Sequence, residues 1–90
     1  MIEEYATDLA KEKGITISSV SLADGQILGF HDVYILDISS KGQRVSTLVQ
    51  QSDFNKFQKD SACDRLEVII RSTLTALAIL LDNERYLLKN

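Results

Sequence analysis

The run Leu74-Thr75-Ala76-Leu77-Ala78-Ile79-Leu80-Leu81 contains no charged residue, and it sits in a segment, residues 62–81, whose apolar positions extend past any single helical face. A helix that is apolar nearly all round has to be covered on more than one side. Cys63, Leu66, Ile70, Leu74, Leu77 and Leu81 recur at helical spacing and form one stripe. Ile69, Thr73, Ala76 and Leu80 form a second, which Val68 and Ile79 extend. One stripe suffices to cover a sheet of three or four strands. The remainder calls for the N-terminal helix or for a second copy of the chain. Ile70, Leu74, Leu77, Ile79 and Leu81 are therefore the candidate oligomer interface. Removing about 500 Å² of apolar surface from water per subunit would contribute ~12 kcal/mol before the costs of association. That is large beside the net stability of a small domain. The run is no membrane span: it is uninterrupted for eight residues, with Arg71 and Asp82 bracketing it closely, against the ~20 that a bilayer requires.

Outward from this helix, the preceding segments read mostly as strands. Residues 32–39 alternate cleanly, with Tyr34, Leu36 and Ile38 on one face and Val33, Ile35 and Asp37 on the other. Ser40-Lys41-Gly42-Gln43 is a turn in which Gly42 accepts a positive φ. Residues 44–50 return with Val45, Thr47 and Val49 in phase. Residues 15–22 favour strand by composition. Their phase breaks between Ile15/Ile17 and Val20/Leu22, which a bulge near Ser18-Ser19 or an edge strand that changes sheet face would reconcile. Asp24-Gly25 signals a hairpin, with residues 26–30 as the return strand.

Two shorter helices complete the chain. Residues 2–13 place Ile2, Tyr5, Ala6 and Leu9 on one side and Glu3, Glu4, Asp8, Lys11 and Glu12 on the other, with Gly14 as the C-terminal cap. Residues 53–59 form a helical turn in which Phe54 and Phe57 plug one end of the core. Asp60 or Ser61 caps the last helix, and Ser61 with Asp64 resembles a capping box. The expected fold is α+β: one domain over residues 1–90, with an antiparallel three- or four-stranded meander packed against a long C-terminal helix and a short N-terminal helix. The expected order is α-β-β-β-β-α-α.

Composition narrows the function classes. A net charge of −3 argues against nucleic acid, whose binders carry a basic excess or stripe. The imbalance is uneven: residues 1–40 hold seven acids and two bases, residues 41–90 eight bases and six acids. Such asymmetry suits either a solvated surface or head-to-tail docking through complementary patches. Cys63 is the single cysteine, so no disulfide forms within the chain. The opening residues carry Glu3 and Glu4 rather than a basic, apolar leader, and a reducing, cytoplasmic setting is expected.

Chemistry-bearing residues are few. His31 beside Asp32 could act as a general base, but neighbours on a strand point to opposite faces. Cys63, near a helix start, could pair with His31 as nucleophile and base; its place on the main apolar stripe favours a small buried hydrophobe. One His and one Cys fall short of a zinc set. Asp24, Asp32 and Asp37 lack calcium-loop spacing, and no phosphate loop follows Gly25 or Gly29. Arg44, Lys56, Lys59, Arg65 and Arg71 could gather around an anion, although interleaved acids favour surface ion pairs. No catalytic set, metal site or cofactor is therefore expected. The expected role is a non-enzymatic interaction or regulatory module that self-associates, with a further protein partner left open. The alternative is a small-ligand or anion-binding module with its pocket between the sheet and the C-terminal helix.

Overall fold

The computed structural model describes residues 2–60 and 62–89, and the side chains of all of these except Ile27 and residues 84–89. Among them the order is α1 (Ile2–Glu12), β1 (Ser19–Asp24), a 3₁₀ turn (Gly25–Leu28), β2 (Val33–Ser40), β3 (Gln43–Gln50), α2 (Gln51–Asp60) and α3 (Asp64–Lys89). The class is α+β, with a three-stranded antiparallel sheet in the order β1-β2-β3 packed against the long C-terminal helix.

The β2–β3 hairpin is built as its alternation predicts. Lys41 and Gly42 both take positive φ, 49° and 85°, the two-residue turn whose twist matches paired strands. The register then runs unbroken from Ser40↔Gln43 to Val33↔Gln50. This places Tyr34, Leu36, Ile38 and Ser40 with Val45, Thr47 and Val49 on one face, and β1 adds Val20 and Leu22 opposite Ile38 and Leu36. Leu36, Ile38 and Val49 are fully buried there. The opposite face is more open and carries Asp37, Arg44, Ser46 and Leu48; Ser46 Oγ donates to Asp37 Oδ1 across the two strands.

Helix α3 covers the inner face. Leu66, Ile70, Leu74 and Leu77 are fully buried and Cys63 nearly so, which reproduces the first apolar stripe. Helix α1 closes one flank with Ile2, Ala6, Leu9 and Ala10, also buried. The end of α1 turns through Gly14, where Ile15 N–H donates to the Ala10 carbonyl at 3.0 Å and Ile15 enters the core. Phe57 meets Tyr5 at a tilt of 44° with ring centres 4.9 Å apart, and Phe54 meets Tyr34 edge-on at 5.3 Å. These two pairs seal the end of the core under α2.

Two expectations need correction. Residues 26–30 are no strand: Asp24 Oδ1 accepts from Gln26 N–H, and Gly29 and Phe30 N–H donate to the carbonyls of Gln26 and Gly25. Asp24-Gly25 therefore caps a 3₁₀ turn, and the meander has three strands. Gly25 is required by close approach rather than by a hairpin. A Cβ there would lie 2.7 Å from a Val33 methyl and 2.8 Å from its carbonyl oxygen. The phase break at residues 15–22 falls at the expected bulge: Ser18 N–H donates to the Ser39 carbonyl at 2.8 Å while Ser19 is the ladder partner of the same Ser39, so two residues oppose one. Strand β1 begins at Ser19, so Ile15 and Ile17 belong to the link before it. The second correction is that Asp60 ends α2 and α3 starts only at Asp64. The suggested cap at Ser61 lies outside the described residues.

Truncating Leu74→Ala should cost about 2–5 kcal/mol of unfolding free energy, and Gly25→Ala about 1–3 kcal/mol through the forced shift of Val33. Denaturant midpoints at constant slope would measure both. An unchanged midpoint for Leu74→Ala would contradict the packing of α3 on the sheet.

Candidate functional site

The residues with potential for chemistry are dispersed. His31 is exposed on the bend before β2, where Asp32 has a φ of 61°. It borders a polar groove formed with Asp32, Val33, Gln50, Gln51, Ser52 and Asn55. Cys63 is not among those walls; it is buried in the core beneath the start of α3. Burial shields the thiol from an external substrate. The five basic residues also part company. Arg44 lies on the outer face of the sheet, Lys56 and Lys59 are exposed on α2, and Arg65 borders the edge of β3. Arg71 faces α1. Among the described residues, no group of three or more His, Cys, Asp or Glu is placed to hold a metal ion. No helix among them is long and apolar enough to cross a membrane.

Arg71 anchors a four-residue network between α1 and α3. Its Nε donates to Glu67 Oε2 at 3.1 Å and its Nη1 to Glu12 Oε2 at 3.0 Å. Tyr5 Oη donates to Glu67 Oε1 at 3.1 Å. The Arg71 guanidinium and the Tyr5 hydroxyl hold the Glu67 carboxyl below its ordinary range. Burial, followed by the bond to Glu67, pushes the Tyr5 phenol up. The network positions α1 on the helix and leaves the opposite flank of α3 unoccupied by it.

Apolar surface remains open on α3 away from α1 and on the adjoining strand. Val68 is 63% exposed, Ile79 55%, Leu48 45% and Leu80 37%. The second stripe is thus split by the fold: Ile69 and Thr73 are drawn against the sheet, while Val68, Ile79 and Leu80 stay open. Of the five candidate interface positions, Ile70, Leu74 and Leu77 are fully buried in the chain's own core. Leu81 is half-buried and Ile79 is exposed. A partner docking on the folded chain meets Ile79, not those three. Val68, Leu80 and Leu48 are exposed as well, and Leu28 and Phe30 are exposed on the segment between β1 and β2.

Two open grooves follow the edge of β3 beside α3. One, of about 760 Å³, is walled by Val33, Leu48, Gln50, Asp53, Asp64, Arg65, Val68 and Ile69. The other, of about 300 Å³, is walled by Val45, Ser46, Thr47, Val68, Ile69, Ser72, Thr73 and Ala76. A third groove, of about 610 Å³, lies between α1 and α2. There Ile2, Tyr5, Phe54 and Phe57 meet an acidic rim of Glu3, Glu4 and Asp8. The participation of β3's edge could not be read from residue types, because sheet order decides which strand lies outermost.

Comparison of the chain with protein-family models, with curated proteins and with solved structures finds no match. The functional reading therefore rests on the geometry alone.

Glu67 is held below its ordinary range when folded, so its contribution to stability is present above the ordinary carboxylate range and lost as pH falls through the depressed value. Glu67→Gln should lower the melting temperature slightly at pH 7. The gap from the parent chain should close as the pH is taken below the usual carboxylate range. A gap that persists or widens in acid would show that the charge of Glu67 does not tie α1 to α3.

Proposed function

We propose that the protein is a non-enzymatic interaction module that acts as a homodimer in the cytoplasm. The observation that carries this reading is the exposed apolar surface of α3, where Val68, Ile79 and Leu80 are open and Val68 borders the edge of β3 beside Leu48. Large apolar side chains clustered on one side of a small domain mark an interaction surface. A second copy is the simplest partner, since it presents the same flank and a two-fold interface is self-complementary. The dispersal of His31, Cys63 and the basic residues supports a role in binding rather than in catalysis. A lone buried thiol suits a reducing compartment.

A second reading is a small-ligand module. The space between sheet and α3 is filled by Leu36, Ile38, Leu66, Ile70 and Leu74. A ligand would therefore use the larger groove at the β3 edge, where Arg65 is flanked by Asp53 and Asp64. Those two carboxylates disfavour an anion and leave an apolar guest with one cationic contact.

Native mass spectrometry of the untagged chain separates the two readings. The homodimer reading expects twice the 10.1 kDa chain mass. It also expects Ile79→Glu and Leu80→Glu each to shift the particle towards monomer and to abolish the concentration dependence of the melting temperature. A parent chain that is monomeric at micromolar concentration rejects the dimer. A monomer with a reproducible extra mass selects the ligand module instead.

A further inference from the structure

The free edge of β3 admits an occupant of one conformation. Gln51 N–H donates to the Asp32 carbonyl at 2.9 Å, which extends the β2–β3 register by one pair. Exchanging pairs in an antiparallel ladder recur at every second residue. Val45, Thr47 and Val49 therefore aim their main-chain groups at β2, a phase that the two-residue turn at Lys41-Gly42 also requires. Arg44, Ser46, Leu48 and Gln50 aim theirs outward, and no strand among the described residues pairs with them. An edge normally avoids further pairing through a proline, a bulge, charged side chains or short length. Strand β3 has eight residues, no proline, an unbroken register and Arg44 as its one charge.

We propose that β3 pairs antiparallel with β3 of a second copy, centred on Thr47, joining two three-stranded sheets into one with both copies of α3 on the same face. This rests on the homodimer reading and specifies how the two chains meet. Parity sets the geometry. The outward main-chain groups belong to even-numbered residues, so even pairs with even and odd with odd. Directly opposite residues share a face of the sheet. The odd residues of both copies thus face the helix side, and the flank of α3 that carries Ile69 and Leu80 meets its counterpart above the junction.

Centring on Thr47 sets that residue against itself, Val45 against Val49 and Arg44 against Gln50. Thr–Thr and β-branched pairs are favourable across strands, and no like charges meet. A shift to Ser46 would oppose Gln43 to Val49 and Arg44 to Leu48. Seven paired residues, 44–50, span about 24 Å, and strand plus helix stand roughly 20 Å deep. Two such faces bury on the order of 1,000 Å², the area at which a specific interface becomes sustainable.

The test is a disulfide at the dyad. In a non-exchanging antiparallel pair the Cα atoms are ~4.5 Å apart, within disulfide reach. In a Cys63→Ala background, Thr47→Cys should oxidise in air to a linked dimer on a non-reducing gel, and Arg44→Cys should remain unlinked. Ser46→Pro, which removes an N–H that the single chain's ladder does not use, should be monomeric by native mass. If the parent chain is a dimer by mass yet Thr47→Cys stays unlinked, this pairing is overturned and the homodimer reading stands. If the parent chain is monomeric, both are overturned.

Discussion

The structure depends on one constraint: a three-stranded antiparallel sheet has a single apolar face, and one helix has to cover it. Leu36, Ile38 and Val49 supply that face, and Leu66, Ile70, Leu74 and Leu77 supply the cover. All seven are withdrawn from water, which is the main favourable term available to a 90-residue chain. Helix α1 and the aromatic pairs Tyr5–Phe57 and Tyr34–Phe54 close what the central contact leaves open. The Tyr5–Glu67–Arg71–Glu12 network then fixes on which flank α1 lies.

A cover of this kind is unequal to its substrate. Eight-residue strands extend about 27 Å, whereas the 26 residues of α3 extend about 39 Å. Leu77 is the last fully buried position of the helix among the described side chains. Across its width, α3 is sheltered by α1 on one side and meets only the outermost strand on the other. Open apolar surface at Val68 and the unpaired main chain of β3 fall at the same groove, beside Leu48 and Ile69. The coincidence gives the interaction reading its physical content, since the two kinds of unsatisfied surface are relieved by a single partner.

Where the sequence reading of the site departed from the structure, the reason is local competition or topology. Asp24-Gly25 reads as a hairpin by composition, but Asp24 found Gln26 N–H and capped a 3₁₀ turn instead. Local side-chain bonds compete with ladder formation in this way. The candidate interface fared similarly. Ile70, Leu74 and Leu77 belong to an apolar segment that is rich enough for two faces, and periodicity alone does not say which face the chain keeps for itself. Folding committed those three to the core and left Ile79 outside. His31 and Cys63 are separated because one ends a surface bend and the other starts a buried helix face.

Local chemistry in the sequence determined the element types: the helical stripes of α3, the alternation of β2 and β3, the positive-φ turn at Gly42 and the amphipathic first helix. These follow from periods of 3.6 and 2 and from backbone sterics, which need no distant partner. Only the tertiary structure decided that β3 lies at the edge, that its even-numbered residues point their main-chain groups outward, and that Val68, Ile79 and Leu80 remain exposed. Those outcomes depend on which elements become neighbours. That choice belongs to the packing of the whole chain, because burial is shared among segments far apart in sequence.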